Sequence, residues 1–214
     1  MTRKTKILGY LQQAWLVLVL ACAYGGALAG VQISLSPRIA ENRRQETYRI
    51  IPQLVPGAEQ EQTVELLISD RHGNPARVYQ TRDAEGQPNG WVVPAKGPGF
   101  ADDIGLLIGL DPPLNKITGM YVLDQRETPG LGDYIRDADF QRQFRGKAAD
   151  TPIEAVKADP GEQQITVLSG ATVSSSSVCE IVNTALANVR EPLLQEWARA
   201  SAGADPRDEA EAAW

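Results

Sequence analysis

The sequence predicts an α+β protein: an N-terminal transmembrane helix followed by an extracytoplasmic domain of antiparallel sheet flanked by helices. Three observations predict it. Residues 7–36 carry no charged side chain and follow directly on Arg3, Lys4 and Lys6. Downstream, apolar runs are separated by short turns rich in Gly, Pro and Asp, as in strands joined by hairpins. The segments of helical periodicity come in separate blocks and do not alternate with the strands, which argues against a doubly wound nucleotide fold.

The first element is the anchor. Residues 7–29 are long enough to cross a bilayer, which takes about 20 apolar residues, and the basic cluster before them keeps the N-terminus cytoplasmic. Ala27-Leu28-Ala29 has the small-x-small form of a signal-peptidase site, and Val19-Leu20-Ala21-Cys22 is a partial lipoprotein box without leucine at the right place. An uncleaved anchor is the favoured reading. In every case the folded part lies outside the cytoplasm. The organisation expected is 1–36 for the anchor, 37–96 for a membrane-proximal α+β part, 97–192 for the core of the domain and 193–214 for an acidic helical tail.

Residues 41–46 form a charged, helix-compatible segment, broken at 50–57 by Pro52 and Pro56. Residues 64–69 and 77–81 read as strands around hairpin chemistry at 70–75, where His72 is a solvated turn residue. Residues 86–99 hold a short strand at 91–93. An apolar run at 104–110 reads as a buried strand, and Asp111-Pro112-Pro113 turns it into another at 117–123. Asp133 is placed to cap a short helix containing Ile135, Ala138, Phe140 and Phe144. The tail after Pro192 is helix-prone and rich in alanine.

A length of 214 residues allows one domain or a small pair, and 43% hydrophobic residues suffice for a core. A net charge of −6 excludes nucleic acid as a partner. Cys22 lies in the anchor and Cys179 on a downstream helix, so no disulfide joins them, and two distant thiols with one histidine make no metal site.

Chemistry concentrates at residues 168–177, Leu-Ser-Gly-Ala-Thr-Val-Ser-Ser-Ser-Ser. Ile165 and Val167 alternate with Thr166 as in a strand. Val178, Ile181, Val182, Ala185, Leu186 and Val189 form one apolar helical face, with Ser177 and Glu180 as a capping box. The stretch is therefore a Gly-bearing turn between a strand and a helix N-terminus, where free N–H groups and the helix dipole favour an anion. Thr172 sits at that mouth. On the residues alone, a plain serine cap accounts for the run as well.

Ser169-Gly170-Ala171-Thr172 followed by hydroxyl residues and an apolar helix resembles the flavinylation motif of the FMN-binding domain family. That family includes the G subunit of Rnf-type complexes and the C subunit of sodium-pumping NADH:quinone reductases. Glu127-Thr128-Pro129-Gly130-Leu131-Gly132, after the strand at 117–123, resembles a second hallmark of these proteins, and Phe144-Arg145-Gly146-Lys147 resembles a third. The resemblance spans roughly residues 97–190, and within the organisation above it marks 97–192 as the FMN-binding core. One position departs: six residues before the threonine, where the motif is usually acidic, this chain has Thr166.

The resemblance implies FMN held covalently by a phosphoester on Thr172, with Ser169, Gly170, Ala171 and Ser174 around it. It also implies that the loop from Glu127 through Thr128, Pro129, Gly130 and Leu131 to Gly132 lies against the flavin ring, and that Lys147 balances negative charge. No residue is assigned a catalytic or metal-binding role. The expected function is electron relay in a bacterial plasma-membrane, ion-translocating oxidoreductase, the chain being a redox component of the complex. Its expected partners are other membrane subunits, a flavin transferase and membrane lipid. A serine hydrolase fails for want of a base near Gly170 and of Gly-x-Ser-x-Gly. A membrane-anchored binding or scaffolding module without cofactor is the alternative.

Overall fold

In the computed structural model the backbone is described for residues 3–201 and the side chains for residues 14–198. The chain divides into two units, Met1–Glu46 and Thr47–Trp214. In the first, helix α1 (Arg3–Leu54) begins, and its stretch from Ala14 on is long and apolar enough to cross a membrane, with none of that window buried. The basic cluster that bears on orientation includes side chains outside the described ones.

The second unit contains the last two turns of α1 and an antiparallel sheet of five strands in chain order. These are β1 (Val64–Ser69), β2 (Pro75–Arg82), β3 (Pro88–Pro98), β4 (Asp103–Leu110) and β5 (Ile117–Asp124). The meander expected from the turns is what forms. Asp70 Oδ1 accepts the N–H groups of His72 and Asn74, both at 2.8 Å, and closes the β1–β2 hairpin around an exposed His72. Asp111 Oδ1 does the same for Asn115 and Lys116 between β4 and β5.

Side-chain alternation sorts the sheet residues onto two cores. Val78, Trp91, Val93, Leu106 and Ile108 face one way, toward helix α3 (Thr172–Ser201) with its Val178, Val182, Leu186 and Val189. Tyr79, Val92 and Leu107 face the other way and pack on Ile50, Ile51, Leu54 and Val55 at the end of α1. Strand β3 is far longer than the three residues expected and runs across position 96/97, so residues 37–96 and 97–192 share one sheet. The remaining elements are a 3₁₀ turn (Gly132–Arg136), helix α2 (Ala138–Arg142) and a small parallel ladder of β6 (Glu154–Val156) with β7 (Gln164–Thr166). The parallel pair is an addition to the antiparallel sheet expected.

Pro52, expected with Pro56 to break the first helix, lies inside α1, two residues before its end, and Pro56 follows that end. Pro192 lies inside α3, which continues to Ser201. A proline at 192 leaves the carbonyl of Asn188 without its helical donor, and the N–H of Arg71 takes that carbonyl at 2.9 Å. The tail expected at 193–214 is therefore helix through 201, and its last thirteen residues lie outside the described ones.

Candidate functional site

Three segments meet at the N-terminus of α3. Gly170 turns the chain with φ +77°, which a side chain would strain, and the carbonyl of Ala171 then accepts the N–H of Ser175 at 3.0 Å. The helix thus starts at Thr172, five residues ahead of the expected capping box. Ser177 and Glu180 sit in its second and third turns and form no N-terminal cap. Ser175 does the local work: its hydroxyl accepts the N–H of Leu168 at 3.0 Å and donates to the carbonyl of Ala171 at 2.9 Å. As the first helical residue, Thr172 is exposed, and the N–H groups of the opening turn have no partner within the helix.

The second segment is the loop at 127–132. Thr128 O accepts the N–H groups of Leu131 and Asp133, at 3.2 and 3.3 Å, and Gly130 has φ +76°. Asp133 does not cap the following turn; its Oδ1 is buried without a hydrogen-bond partner. The third segment is the turn between β3 and β4, which presents Phe100 with 65% of its surface exposed. Together, Phe100, then Thr128, Leu131 and Gly132, then Gly170 through Ser174 line a cavity of about 350 Å³, the lower end of the range for small-molecule sites, roughly 300–1,000 Å³. Leu131, Phe100 and Val173 make its rim apolar, and among the described residues no cationic side chain lines it.

Glu127 holds the three segments together. Its carboxylate is 4% exposed, and Oε1 accepts the N–H groups of Phe100 at 2.9 Å and Ala101 at 3.1 Å. Oε2 accepts the hydroxyl of Ser174, itself 3% exposed, at 2.5 Å. Gly132 lies against this pair. A Cβ there would meet Ser174 Oγ at 2.8 Å and Glu127 Cβ at 2.9 Å, so only glycine leaves room for the clamp.

Of the residues singled out in the sequence, Thr128, Leu131, Gly132, Gly170, Ala171, Thr172 and Ser174 line the cavity. Glu127 stands behind its wall. Ser169, Pro129 and Gly130 are on the flanking turns and do not line it. Lys147 is elsewhere: its Nζ donates to the carbonyl of Glu162 at 2.6 Å and ties the segment after α2 to the one before β7. Thr166 has both backbone groups bonded to the side chain of Gln143, at 2.7 and 3.2 Å. Sequence reasoning missed Phe100 and Val173, although a lone aromatic in a Gly- and Pro-rich turn is a usable signal. On the inward face of α3, burial pushes the Cys179 thiol up to about 12. Among the described residues no group of His, Cys, Asp and Glu could hold a metal ion.

A cavity with an apolar rim, a hydroxyl and a helix N-terminus suits a flat aromatic ligand carrying a phosphate. The residues present fit FMN in that respect. The comparisons agree: residues 99–187 match the FMN-binding domain family. The G subunit of the ion-translocating oxidoreductase complex of Methanosarcina acetivorans is 32% identical over 148 residues, 69% of this chain and 74% of that one. The corresponding G subunit of Shewanella baltica is 30% identical over 82% of this chain and 87% of its own length. The C subunit of the Na(+)-translocating NADH-quinone reductase of Pasteurella multocida is 33% identical, over 49% of this chain and 43% of that one. The crystal structure of Shewanella oneidensis NqrC superposes with a TM-score of 0.63 at 20% identity, over 74% of this chain and 99% of that one, which establishes the fold. The chain belongs to the FMN-binding domain family that includes the G subunits of the ion-translocating oxidoreductase complexes.

Proposed function

We propose that this chain is the membrane-anchored, electron-carrying FMN subunit of an Rnf-type ion-translocating oxidoreductase, with FMN held by a phosphoester to Thr172. The observation that carries the reading is the place of Thr172: an exposed hydroxyl on the first residue of a long helix, at the mouth of an apolar-rimmed cavity. Coverage supports a G subunit over a C subunit, since the G subunit of Shewanella baltica aligns over 82% of the chain and the C subunit of Pasteurella multocida over 49%.

Attachment is formally a condensation. Thr172 Oγ bonds to the phosphorus of the ribityl phosphate, the bond from phosphorus to one phosphate hydroxyl breaks, and that hydroxyl leaves with the threonine proton as water. A flavin transferase acting on an exposed threonine is the natural agent. The N–H groups opening α3 are the available donors for the ester's remaining oxygens, and the dipole of a 30-residue helix points its positive end there. Phe100, Leu131 and Val173 supply apolar cover for a ring and keep water from it, while Thr128 and the loop backbone offer polar contacts. When bound, the flavin supplies the electron chemistry; the protein contributes binding, orientation and electrostatics.

The anchor completes the reading. The chain crosses the bacterial plasma membrane once with its N-terminus cytoplasmic, its N-terminal helix meeting membrane lipid, so that Thr172 and its cavity lie on the extracytoplasmic side, where the other subunits of the complex are its partners. A covalent link suits a cofactor in an open site from which a diffusing one would be lost.

The test is the intact mass of the chain co-produced with a flavin transferase and exported, beside Thr172→Ala. The expected result is an adduct of FMN less one water that survives denaturation and is absent from the alanine variant. No adduct on the parent, with another family member labelled in parallel, would leave the cofactor-free membrane-anchored module as the better account.

A further inference from the structure

We propose that Glu127 is a positioning residue that also holds down the reduction potential of the group carried at Thr172, a statement that rests on the flavin reading above. Glu127 is a buried carboxylate whose hydrogen bonds all come from donors: two backbone N–H groups and one hydroxyl. Such a set suits an ionised, acceptor-only group. Among the described residues no cation pairs with it. Its chain neighbour Arg126 points outward, 78% exposed, and pairs with Asp102 at 3.5 Å.

The carboxylate stands one layer behind the cavity. Gly132 and Ser174 both line the cavity and both touch Glu127: a Cβ on Gly132 would come within 3.0 Å of its Oε2, and Ser174 Oγ lies 2.5 Å from the same oxygen. Among the described residues no Lys, Arg or His lines the cavity to offset that charge. The charge of Glu127 stands behind that wall, and at a buried site its field is screened far less than at the surface. An electron added to a group in the cavity adds negative charge beside that field. Reduction is thereby disfavoured and the potential is held low.

The charge can be removed without removing the clamp. In Glu127→Gln, Oε1 still accepts from Phe100 and Ala101, and the new amide donates to Ser174 Oγ, whose hydroxyl can turn to accept. Ser174→Ala is the complement, keeping the charge and losing one hydrogen bond. Parent and variants, made with a flavin transferase and checked by intact mass, are titrated with dithionite in the presence of mediator dyes, following the visible absorption of the flavin. The expected result is a positive shift of the midpoint in Glu127→Gln and none, or a negative one, in Ser174→Ala.

A flavin-loaded Glu127→Gln that titrates at the parent's midpoint would overturn the proposal. So would equal positive shifts in both variants, which would mark a structural effect. Loss of flavin from Glu127→Gln with retention in Glu127→Asp would also overturn it, assigning the carboxylate to attachment. A parent without flavin would remove both this proposal and the reading it rests on, whereas the other outcomes leave the flavin reading standing.

Discussion

Ser174 donates its hydroxyl to Glu127 across 47 residues of sequence, 2.5 Å from oxygen to oxygen, with both side chains buried. This contact joins the helix that carries Thr172 to the loop that forms the opposite wall. Two backbone N–H groups bring in the turn bearing Phe100. Removing the carboxylate strands the buried Ser174 hydroxyl and two part-buried N–H groups. Glu127→Ala should therefore destabilise the domain by about 3 kcal/mol, and Glu127→Gln by less than about 1 kcal/mol, because its bonds can be remade. Urea unfolding of the chain in detergent, followed by tryptophan fluorescence, measures both.

Gly132→Ala tests the packing of the same clamp. The added methyl would lie 2.8 Å from Ser174 Oγ and 2.9 Å from Glu127 Cβ, so one of them must shift. Overpacking of this kind costs roughly 1–3 kcal/mol. Displacement of Ser174 also moves the first turn of α3, and modification of Thr172 by a flavin transferase should slow in the same variant. Unfolding midpoints and the time course of the mass adduct check the two effects.

Asn183 ties the small parallel ladder to the middle of α3. Its side chain accepts the N–H of Ile153 at 2.8 Å and donates to the same residue's carbonyl at 2.9 Å, fastening the β6 segment to α3. Asn183→Ala leaves both backbone groups unpaired beside a buried isoleucine, for a loss of about 2 kcal/mol. Hydrogen exchange should accelerate at residues 153–156 while the five-stranded sheet keeps its protection.

The thiol of Cys179, pushed up to about 12 by burial, makes stability pH-dependent. Its folded value lies above the unfolded one, near 8.5, so the unfolded chain loses the proton first. The stabilisation is whole below the unfolded value and drains away as pH rises toward 12. Cys179→Ala should flatten the fall in unfolding free energy across that window relative to the parent. In a Cys22→Ser background, a polar maleimide should label no thiol in the native chain and one after denaturation.

Lys147 is spent on the carbonyl of Glu162, at 2.6 Å. Lys147→Met should leave flavin content unchanged and cost at most about 1 kcal/mol. Mass spectrometry after co-production with a transferase, together with the unfolding midpoint, decides both parts.

Much of this molecule was legible in the chain because its signals are local. An uncharged stretch behind three basic residues reads as an anchor, strand alternation and Asp-rich turns give a meander, and the Gly-Ala-Thr turn before an apolar helical face places Thr172. Distant contacts also support local structure: Pro192 is accommodated inside α3 while Arg71, more than a hundred residues earlier, takes the carbonyl it leaves without a helical donor. Ser177 and Glu180 form no cap because the helix begins at the Gly170 turn, ahead of them.

The sequence by itself determined the long apolar N-terminal helix, the antiparallel hairpins and the turn that bears Thr172, since each follows from residues within a turn or two of one another. Only the tertiary structure decided that Glu127 stands behind the cavity as a clamp, that Phe100 closes its rim, and that Lys147 lies elsewhere. Those placements depend on which turns of a five-stranded sheet meet one end of one helix, and that is settled by burying two opposite faces of the sheet at once, a condition on the whole chain.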